Sequence, residues 1–332
     1  METRKVQQTG GSSFIVSLPK EWIRKRDIKK NDLLGIISQP DGNLLVTPKI
    51  DSRDIERIKV FDIDEIKDIE FLFRLLIGSY IMGYSEFVIK SSRKIESKTR
   101  EKIIYFTQIV IGPEIIDETA NQITLKDLLN PKEMPFHKTI KRMYIMAESM
   151  HLDAIKALKT KNQELLEEII KRDDHIDRLQ WLISRQTNIA LRDIILAQRM
   201  EVTLQEAHFY HLISRLLERI ADHAVNLAKN VMKLNKYNIS DKIVEDISNA
   251  SKIAISQLNN SLDALLQKNI NKANTNIESV QELISSCEKI NQITDQNNLQ
   301  SSIALSYVIE SIRRTGEYSS DISELIIDYL VN

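Results

Sequence analysis

The spacing of apolar residues changes near residue 136. Beyond that point apolar residues recur every three to four positions, as they do along one side of an amphipathic helix. The pattern predicts an all-α bundle whose six long helices span about 136–160, 163–198, 201–235, 240–268, 271–295 and 299–330. Lys156-Ala-Leu158 and Asp263-Ala-Leu265 begin similar stretches, which predicts two three-helix repeats over about 136–235 and 240–332.

The first fifty residues alternate in shorter units. Residues 13–18 place Phe14, Val16 and Leu18 on one side of a predicted half-buried strand, after a turn at Gly10-Gly11. Pro19 is typical of a helix start, and the predicted helix over 20–26 is short and basic. The turn Gln39-Pro40-Asp41-Gly42 then separates two apolar runs, 33–37 and 44–47, which indicates a hairpin. A β unit this small buries little surface alone, so we expect it to dimerise.

Residues 51–135 predict a small α/β segment. Apolar runs at 58–63 and 86–90 are typical of strands, and 65–82 and 97–110 are typical of helices. One or two further strands are predicted over 114–125. No phosphate loop or catalytic motif occurs here, so the pattern predicts no function for this segment.

Composition supports this division of the chain. All 6 prolines and seven of the 8 glycines precede residue 136, so the remainder lacks the turns that a β-sandwich or barrel needs. Residues 1–50 hold nine Lys and Arg against five Asp and Glu, whereas the rest of the chain is net acidic. The single cysteine, Cys287, excludes an internal disulfide and a Cys-based zinc site. With no secretory signal and no apolar run long enough for a membrane span, we expect a cytoplasmic protein without membrane insertion.

Carboxylates recur one helical turn apart on three of the predicted helices. Such pairs on neighbouring helices can converge on a hard or borderline cation. The candidate metal ligands are Asp173 and Asp177, Glu218 and Asp222, and Glu317 and Asp321. His208, His211, Arg215 and Asn226 share the side of the third helix that carries Glu218.

A solvated polar face is the alternative interpretation of these stripes, since every bundle helix presents polar residues to water. The paired Glu-x-x-His motifs of di-iron bundles are missing, because only Glu148-Ser-Met-His151 has that spacing. No Ser–His–Asp arrangement or Gly-rich nucleotide loop occurs either, and we predict that the chain is not an enzyme.

The helical part resembles the PhoU family of phosphate-signalling proteins over about residues 136–332. The segment Glu218-Arg-Ile-Ala-Asp222-His-Ala-Val-Asn226 is similar to the family's E(D)xxxD motif, and Arg313-Arg-Thr-Gly316-Glu317-Tyr-Ser-Ser-Asp321 is similar to a degenerate second copy. The resemblance implies two three-helix repeats and a site for iron or zinc on the acidic surface. Arg313 stands where the second copy would have its first acid, which is expected to weaken a second cluster.

The first fifty residues resemble the AbrB/SpoVT swapped-hairpin domain, in which two chains interlock and a basic surface meets DNA. The similarity rests on Arg4-Lys5-Val6, the Gly10-Gly11-Ser-Ser turn, Ser17-Leu18-Pro19-Lys20 and the closing hairpin. Clustered Lys and Arg are what phosphate neutralisation requires. The candidate DNA contacts are Arg4, Lys5, Lys20, Arg24, Lys25 and Arg26. The alternative is a plain dimerisation module with a solvated helix.

Together the two resemblances imply a mixed fold in three parts: a swapped-hairpin β domain at 1–50, an α/β segment at 51–135 and a PhoU-like bundle at 136–332. They are similar in arrangement to archaeal phosphate-uptake regulators. The leading hypothesis is a homodimeric, or higher homo-oligomeric, transcriptional regulator of phosphate uptake. The second is an adaptor that binds a phosphate transporter or kinase but not DNA, and the third is a metal-dependent enzyme.

Overall fold

The computed structural model describes residues 2–39, 42–48, 57–292 and 299–331. The chain folds as two compact units, Met1–Ile55 and Glu56–Asn332. The predicted boundary at 50 therefore lies close to the junction between the units. The second predicted boundary, at 135, separates two hydrophobic cores that nevertheless belong to one compact unit.

The N-terminal unit consists of two hairpins with a short helix between them. Its elements are β1 (Gln7–Thr9), β2 (Ser13–Ile15), α1 (Lys20–Lys25), β3 (Gly35–Ser38) and β4 (Leu44–Thr47). Both strand pairs are antiparallel, and Gly10 and Gly11 close the first turn with positive φ, a conformation that glycine adopts without steric cost. These elements agree with the predicted ones, although Pro40 and Asp41 of the predicted turn lie outside the described residues.

The predicted half-buried face of the second strand is wrong for a single chain. The strand ends at Ile15, and Phe14 and Val16 are 70% and 49% exposed. Two short hairpins and a six-residue helix have too few atoms to cover these side chains.

The first part of the second unit is an α/β layer with a mixed sheet. Its elements are β5 (Ile58–Asp62), α2 (Ile69–Ile81), β6 (Glu86–Lys90), α3 (Ser97–Ile109), β7 (Pro113–Glu118) and β8 (Gln122–Asp127). The strand order is β5-β6-β8-β7, with β5 parallel to β6 and the other neighbours antiparallel. Leu76, Tyr80, Phe87 and Phe106 are buried in the core of this layer. The layer confirms the predicted α/β segment.

The rest of the unit is a bundle of long helices. They are α4 (Phe136–Thr160), α5 (Gln163–Ala190), the short α6 (Ile194–Arg199), α7 (Leu204–Leu234), α8 (Asp241–Gln267), α9 (Ile270–Gln292) and α10 (Leu299–Leu330). One hydrophobic core runs through the bundle. Five of the six predicted helices match α4, α7, α8, α9 and α10 within three residues at each end that the structure describes.

The predicted continuous helix over 163–198 is wrong. Helix α5 ends at Ala190, and Asp193 starts α6 by accepting hydrogen bonds from the backbone N–H groups of Ile195 and Leu196. An aspartate at this position satisfies N–H groups that have no partner within the helix. The apolar spacing continues across the break, which explains why periodicity alone misses it.

Close helix packing accounts for the glycine of the last helix. Gly316 is buried in α10, and a Cβ atom there would collide with Leu283 and Gln257. Ala221, at the equivalent position of α7, is fully buried as well. Small residues at both positions let neighbouring helices approach closely.

A buried polar seam crosses the bundle core. His151 of α4 is 0% exposed, and its Nε2 and Nδ1 atoms lie 2.9 and 3.3 Å from the hydroxyls of Ser251 and Thr315. Burial lowers the pKa of His151 to about 4. The imidazole is therefore neutral at physiological pH and links three helices from both repeats.

Helix α5 also carries the α/β layer. The Arg185 side chain is 4% exposed, forms a salt bridge of 2.5 Å with Asp127 and donates a hydrogen bond to the carbonyl oxygen of Tyr80 at 2.6 Å. Asn188 donates a further hydrogen bond to the carbonyl oxygen of Ile81. The same helix therefore fixes the α/β layer at one end and carries Asp173 and Asp177 further towards the other.

Candidate functional site

Four carboxylates meet where α5 and α7 pack side by side. Asp173 and Asp177 lie one turn apart on α5, and Glu218 and Asp222 lie one turn apart on α7. Asp173, Asp177 and Glu218 are partly buried, and Asp222 is more exposed. We call these four residues the first acidic cluster. The structure thus brings together two of the three predicted carboxylate pairs.

Partial burial and mutual repulsion disfavour negative charge in this cluster. Burial, followed by the charges of Asp173 and Glu218, raises the pKa of Asp177 to about 7. Burial and the charge of Asp222 raise the pKa of Asp173 to about 6. Burial is also the main cause of the raised pKa values of Glu218 and Asp222. The cluster therefore favours a proton or another positive charge near neutral pH.

Polar and basic groups continue along α7 beside the cluster. His211 Nδ1 lies 3.2 Å from the hydroxyl of Ser184, which accepts a hydrogen bond of 2.8 Å from the Gln180 amide. Burial, then the charges of Arg215 and His208, lowers the pKa of His211. His208, His211 and Arg215 share one side of α7, as their spacing predicted.

The second motif copy, on α10, is electrostatically different. Arg313 forms salt bridges with Glu310 at 2.8 Å and Glu317 at 3.1 Å, and Arg314 binds the same two acids at 2.8 and 3.1 Å. Although burial acts to raise it, hydrogen bonds from the two arginines bring the pKa of Glu310 below its usual value. Glu317 is therefore already held by two cations.

Asp321 stands outside this ion-pair network. Burial, then the charges of Glu324 and Glu317, raises its pKa. The members of the third predicted pair therefore lie one turn apart in different surroundings. Glu317 is paired with two arginines, whereas on Asp321 the charges of Glu324 and Glu317 outweigh those of Arg219 and Arg314. Sequence reasoning identified Arg313 but missed Glu310 and Arg314, whose i, i+4 spacing is a recognisable ion-pair signal.

Aromatic and basic side chains lie between the two motif copies. The His223 ring of α7 lies 5.7 Å from that of Tyr318 on α10, and the Arg219 guanidinium lies 5.8 Å from the Tyr318 ring centre. Burial, then the charge of Arg314, lowers the pKa of His223. The two copies thus meet across a partly buried contact between α7 and α10.

The described residues show no preformed metal site. Within them, no group of three or more His, Cys, Asp and Glu side chains is arranged so that it could hold a metal ion. The Glu-x-x-His pair is also divided, because Glu148 accepts a hydrogen bond from Asn259 while His151 points into the polar seam. Iron or zinc binding by the first acidic cluster stays a prediction.

The predicted DNA-contacting residues are exposed on the N-terminal unit. Lys20, Arg24 and Lys25 belong to α1, and Arg26 is the C-cap residue of this helix. Arg4, which pairs with Glu2, and Lys5 precede β1. All six side chains are accessible to solvent.

Two models of known families match separate parts of the chain. Residues 140–231 match the model of the PhoU domain. The chain carries a PhoU domain. Residues 7–54 match a model described as antidote-toxin recognition MazE, bacterial antitoxin, so the N-terminal unit is a MazE/AbrB-like domain, in agreement with the predicted resemblance.

The relatives extend the PhoU similarity beyond the first repeat. The phosphate-specific transport system accessory protein PhoU homolog of Clostridium acetobutylicum is 29% identical over 204 residues, which cover 59% of this chain and 90% of that protein. The protein of the same name from Caulobacter vibrioides (strain NA1000 / CB15N) is 27% identical over 193 residues, covering 56% of this chain and 83% of that protein. Both matches are about twice as long as the family model's.

Solved structures confirm the PhoU fold of the bundle. The PhoU crystal structure from Pseudomonas aeruginosa aligns with a TM-score of 0.53 at 19% identity, over 59% of this chain and 95% of that one. The phosphate transport system regulatory protein PhoU from Streptococcus pneumoniae aligns with a TM-score of 0.51 at 21% identity, over 59% and 93%. In the part of the chain that the structure describes, no helix is long and apolar enough to cross a membrane.

Proposed function

We propose that this protein is a cytoplasmic regulator of phosphate uptake whose N-terminal unit binds DNA and whose PhoU domain responds to phosphate status. The observation that carries the proposal is the fusion itself: a PhoU domain joined to a MazE/AbrB-like domain with an exposed basic surface. The proposal contains no catalytic step.

The charge arrangement on the N-terminal unit supports DNA binding. Within the described residues, the side chains of Lys5, Lys20, Arg24, Lys25 and Arg26 form no ion pair. Cations without acidic partners are available to replace the counterions of a phosphate backbone, and the release of those counterions drives binding.

The apolar surface of the same unit supports a homodimer. Phe14 is 70% exposed, and Leu33, Ile36 and Leu44 are 76%, 68% and 65% exposed. So many large apolar side chains on one small unit are typical of an interface. A second copy of the unit, which presents the same hairpins, is the proposed occupant.

Salt-dependent binding tests the DNA half of the proposal. Fluorescence anisotropy with promoter DNA of phosphate-transport genes should show an affinity that falls steeply as salt increases. The double variant Arg24→Ala/Lys25→Ala should reduce the slope of log affinity against log salt by about 2, roughly one for each lost phosphate contact.

A matched variant removes two exposed cations from the other unit, Lys98→Ala/Lys159→Ala. This variant should bind DNA like the unmodified protein. The DNA-binding proposal fails if the full chain has no affinity for DNA or if both double variants behave alike. If the full chain binds DNA as proposed, genome-wide mapping of bound DNA at high and low phosphate identifies the regulated genes.

One observation favours a second candidate function. The PhoU relatives named above are described as accessory proteins of a phosphate-specific transport system, and the match covers 83–90% of their length but only 56–59% of this chain. The second candidate is therefore an adaptor that binds a phosphate transporter or a signalling kinase and whose N-terminal unit only dimerises. Co-purification of a transporter without retention on DNA would support it.

A further inference from the structure

The carboxyl ends of two parallel strands meet at one edge of the α/β layer. Strands β5 and β6 end side by side at Asp62 and Lys90, and the chain runs from each strand towards the start of a helix, α2 or α3. An open cleft of about 720 Å³ lies at this edge, lined by residues of 63–72 and 91–99. We call it the edge cleft. Ligands of α/β sheets usually bind outside the carboxyl ends of the strands, and a cleft of this volume accommodates a small molecule.

Hydrogen bonds hold the two sides of the edge cleft together. Asp64, which follows β5, accepts hydrogen bonds from the Ser91 hydroxyl at 2.7 Å and from the Ser92 backbone N–H at 2.8 Å, both of which follow β6. Hydrogen bonds from Ser92 and Ser91, and then the charge of Arg93, lower the pKa of Asp64 to about 2. A cleft whose sides are already joined loses less entropy when a ligand binds.

The N-terminus of α3 has unused hydrogen-bond donors beside the edge cleft. Its N-cap residue, Glu96, makes no capping hydrogen bond, whereas Asp68, the N-cap residue of α2, accepts one from the Phe71 N–H at 2.6 Å. Within the described residues, the backbone N–H groups of 97–99 have no hydrogen-bond partner. Free N–H groups at the start of a long helix favour an anion.

Thr99 is an independent sign of a ligand. It is 9% exposed and lines the edge cleft, and its hydroxyl has no hydrogen-bond partner in the part of the chain that the structure describes. The hydroxyl oxygen is not sealed off from solvent, so a molecule in the cleft can reach it. Because buried polar groups are normally hydrogen-bonded, this hydroxyl indicates a bound acceptor.

The cations of the edge cleft are available to a ligand, whereas most of its acids are not. The lining cations form no ion pair within the described residues, and they are Lys67, Arg93 and Lys94. Three of the four lining acids are already bonded within the chain. They are Asp64, Asp68 and Glu70, the last of which forms a salt bridge of 2.8 Å with Lys102. Glu96 is the fourth and can accept a hydrogen bond from a hydroxyl group.

Apolar side chains form the buried part of the edge cleft. Leu72 and Ile95 are each 2% exposed, and Ile66 is partly buried. Such side chains bind a planar or apolar group but do not bind a small ion. A ligand that fits the whole cleft therefore has an anionic group and an apolar or planar part.

We propose that the edge cleft binds a nucleotide. The phosphate accepts hydrogen bonds from Thr99 and from the first N–H groups of α3, and it faces Arg93 and Lys94. The base lies against Leu72 and Ile95. This site is separate from the first acidic cluster and does not rest on the proposed function.

Isothermal titration calorimetry on the full chain tests the class of ligand. AMP and UMP should bind, because each combines a phosphate with a planar base. Adenosine and inorganic phosphate each lack one of these parts and should bind about tenfold more weakly, or worse. The absence of binding by both nucleotides at millimolar concentration would overturn the proposal. Adenosine or inorganic phosphate that binds as tightly as AMP would overturn it as well.

Variants of Thr99 test where the phosphate lies. Thr99→Val removes the hydroxyl and keeps the shape, so the melting temperature of the unliganded protein should not fall, whereas the affinity for AMP should fall about tenfold. Thr99→Ser keeps a hydroxyl and should retain most of the affinity. If Thr99→Val binds AMP as tightly as the unmodified protein, the proposed site is wrong.

Variants of the cations separate a defined site from general attraction to charge. Arg93→Ala/Lys94→Ala should weaken AMP binding more than adenosine binding. The matched variant Arg74→Ala/Lys156→Ala removes two exposed cations outside the edge cleft and should bind AMP like the unmodified protein. Equal weakening in both double variants would contradict the proposal. Neither variant changes the N-terminal unit, so a loss of AMP binding is distinguishable from a loss of DNA binding.

Discussion

The two copies of the acidic motif have the same spacing but different electrostatic surroundings. On α7, Glu218 and Asp222 face Asp173 and Asp177 of α5, and the pKa values of all four carboxyls are raised. On α10, Glu317 is held by Arg313 and Arg314 from its own helix. The i, i+4 spacing therefore does not determine the charge of a site; the neighbouring side chains do.

The contrast also distinguishes what each copy can contribute. Repelling carboxylates at the first copy are held together by helix packing and gain from any bound positive charge. At the second copy, Glu317 is already neutralised by ion pairs three and four residues apart, which stabilise the helix itself. We therefore expect a ligand response at the first copy and a structural role at the second.

An acid in place of Arg313, at the position of Glu218 in the first copy, should have the largest effect on the stability of the protein. Arg313→Glu removes two ion pairs and places a third carboxylate beside Glu310 and Glu317. Because these groups are partly exposed, we expect a loss of about 2 kcal/mol in unfolding free energy at pH 7.5. Urea unfolding followed by circular dichroism measures it.

Arg313→Gln is the control for this substitution. It removes the ion pairs without adding charge and should cost about 1 kcal/mol. The excess loss in Arg313→Glu should shrink at pH 5, where carboxylates begin to take up protons. Equal losses in the two variants at pH 7.5 would show that like-charge repulsion has no part in the contrast.

Removing one of the repelling carboxylates at the first copy should increase the stability of the protein rather than decrease it. The pKa of Asp177 is about 7 in the folded protein and 3.8 without its surroundings. Below pH 3.8 the carboxyl is protonated in both states, and stability is lost as the pH rises from there through 7. A shift of this size corresponds to ~4 kcal/mol, which partial exposure reduces to about 1–2. Asp177→Asn should therefore stabilise the protein by about 1–2 kcal/mol at pH 8 and have almost no effect at pH 4.

Asp174→Asn provides the matched comparison for this prediction. Asp174 lies on the same helix but is exposed to solvent. Its replacement should change the unfolding free energy by less than about 0.5 kcal/mol at either pH. A pH-independent gain for Asp177→Asn, or the same gain for Asp174→Asn, would contradict the role of the cluster.

A divalent cation should change the stability of the protein least, and variants of the two copies should respond to it differently. Zinc or ferrous iron at about five times its dissociation constant should stabilise the protein by about 1 kcal/mol, visible as a small rise in melting temperature. Asp222→Asn should abolish the rise and Asp321→Asn should preserve it. The prediction is wrong if no rise occurs, or if Asp321→Asn is the variant that loses it.

Much of the fold can be predicted from apolar spacing. The long helices α4, α8 and α10 agree with their predicted bounds because amphipathic periodicity over 25 or more residues is a strong signal. The strand Glu86–Lys90 was also predicted at both ends, since its apolar centre is flanked by turns. The break after Ala190 was missed, although Asp193 followed by apolar residues is a helix-start signal.

The candidate site could also be predicted only in part from the sequence. The spacing of Glu218 and Asp222 places both on one side of α7, but nothing in that spacing tells which helix lies opposite. The pairing with Asp177 depends on how α5 and α7 pack. Arg185 carried no signal at all, because a charged residue within a helix is normally exposed and is buried only where a partner such as Asp127 meets it.

The salt bridge between Arg185 and Asp127 also limits how this protein can be recombined. A different N-terminal unit could be joined ahead of residue 56 while leaving the second unit whole. Exchange of the α/β layer is more restricted, because a different layer would bury the Arg185 charge without the Asp127 carboxylate and the Tyr80 carbonyl. In evolutionary terms the N-terminal unit is a module, whereas a change of the α/β layer at Asp127 calls for a change at Arg185.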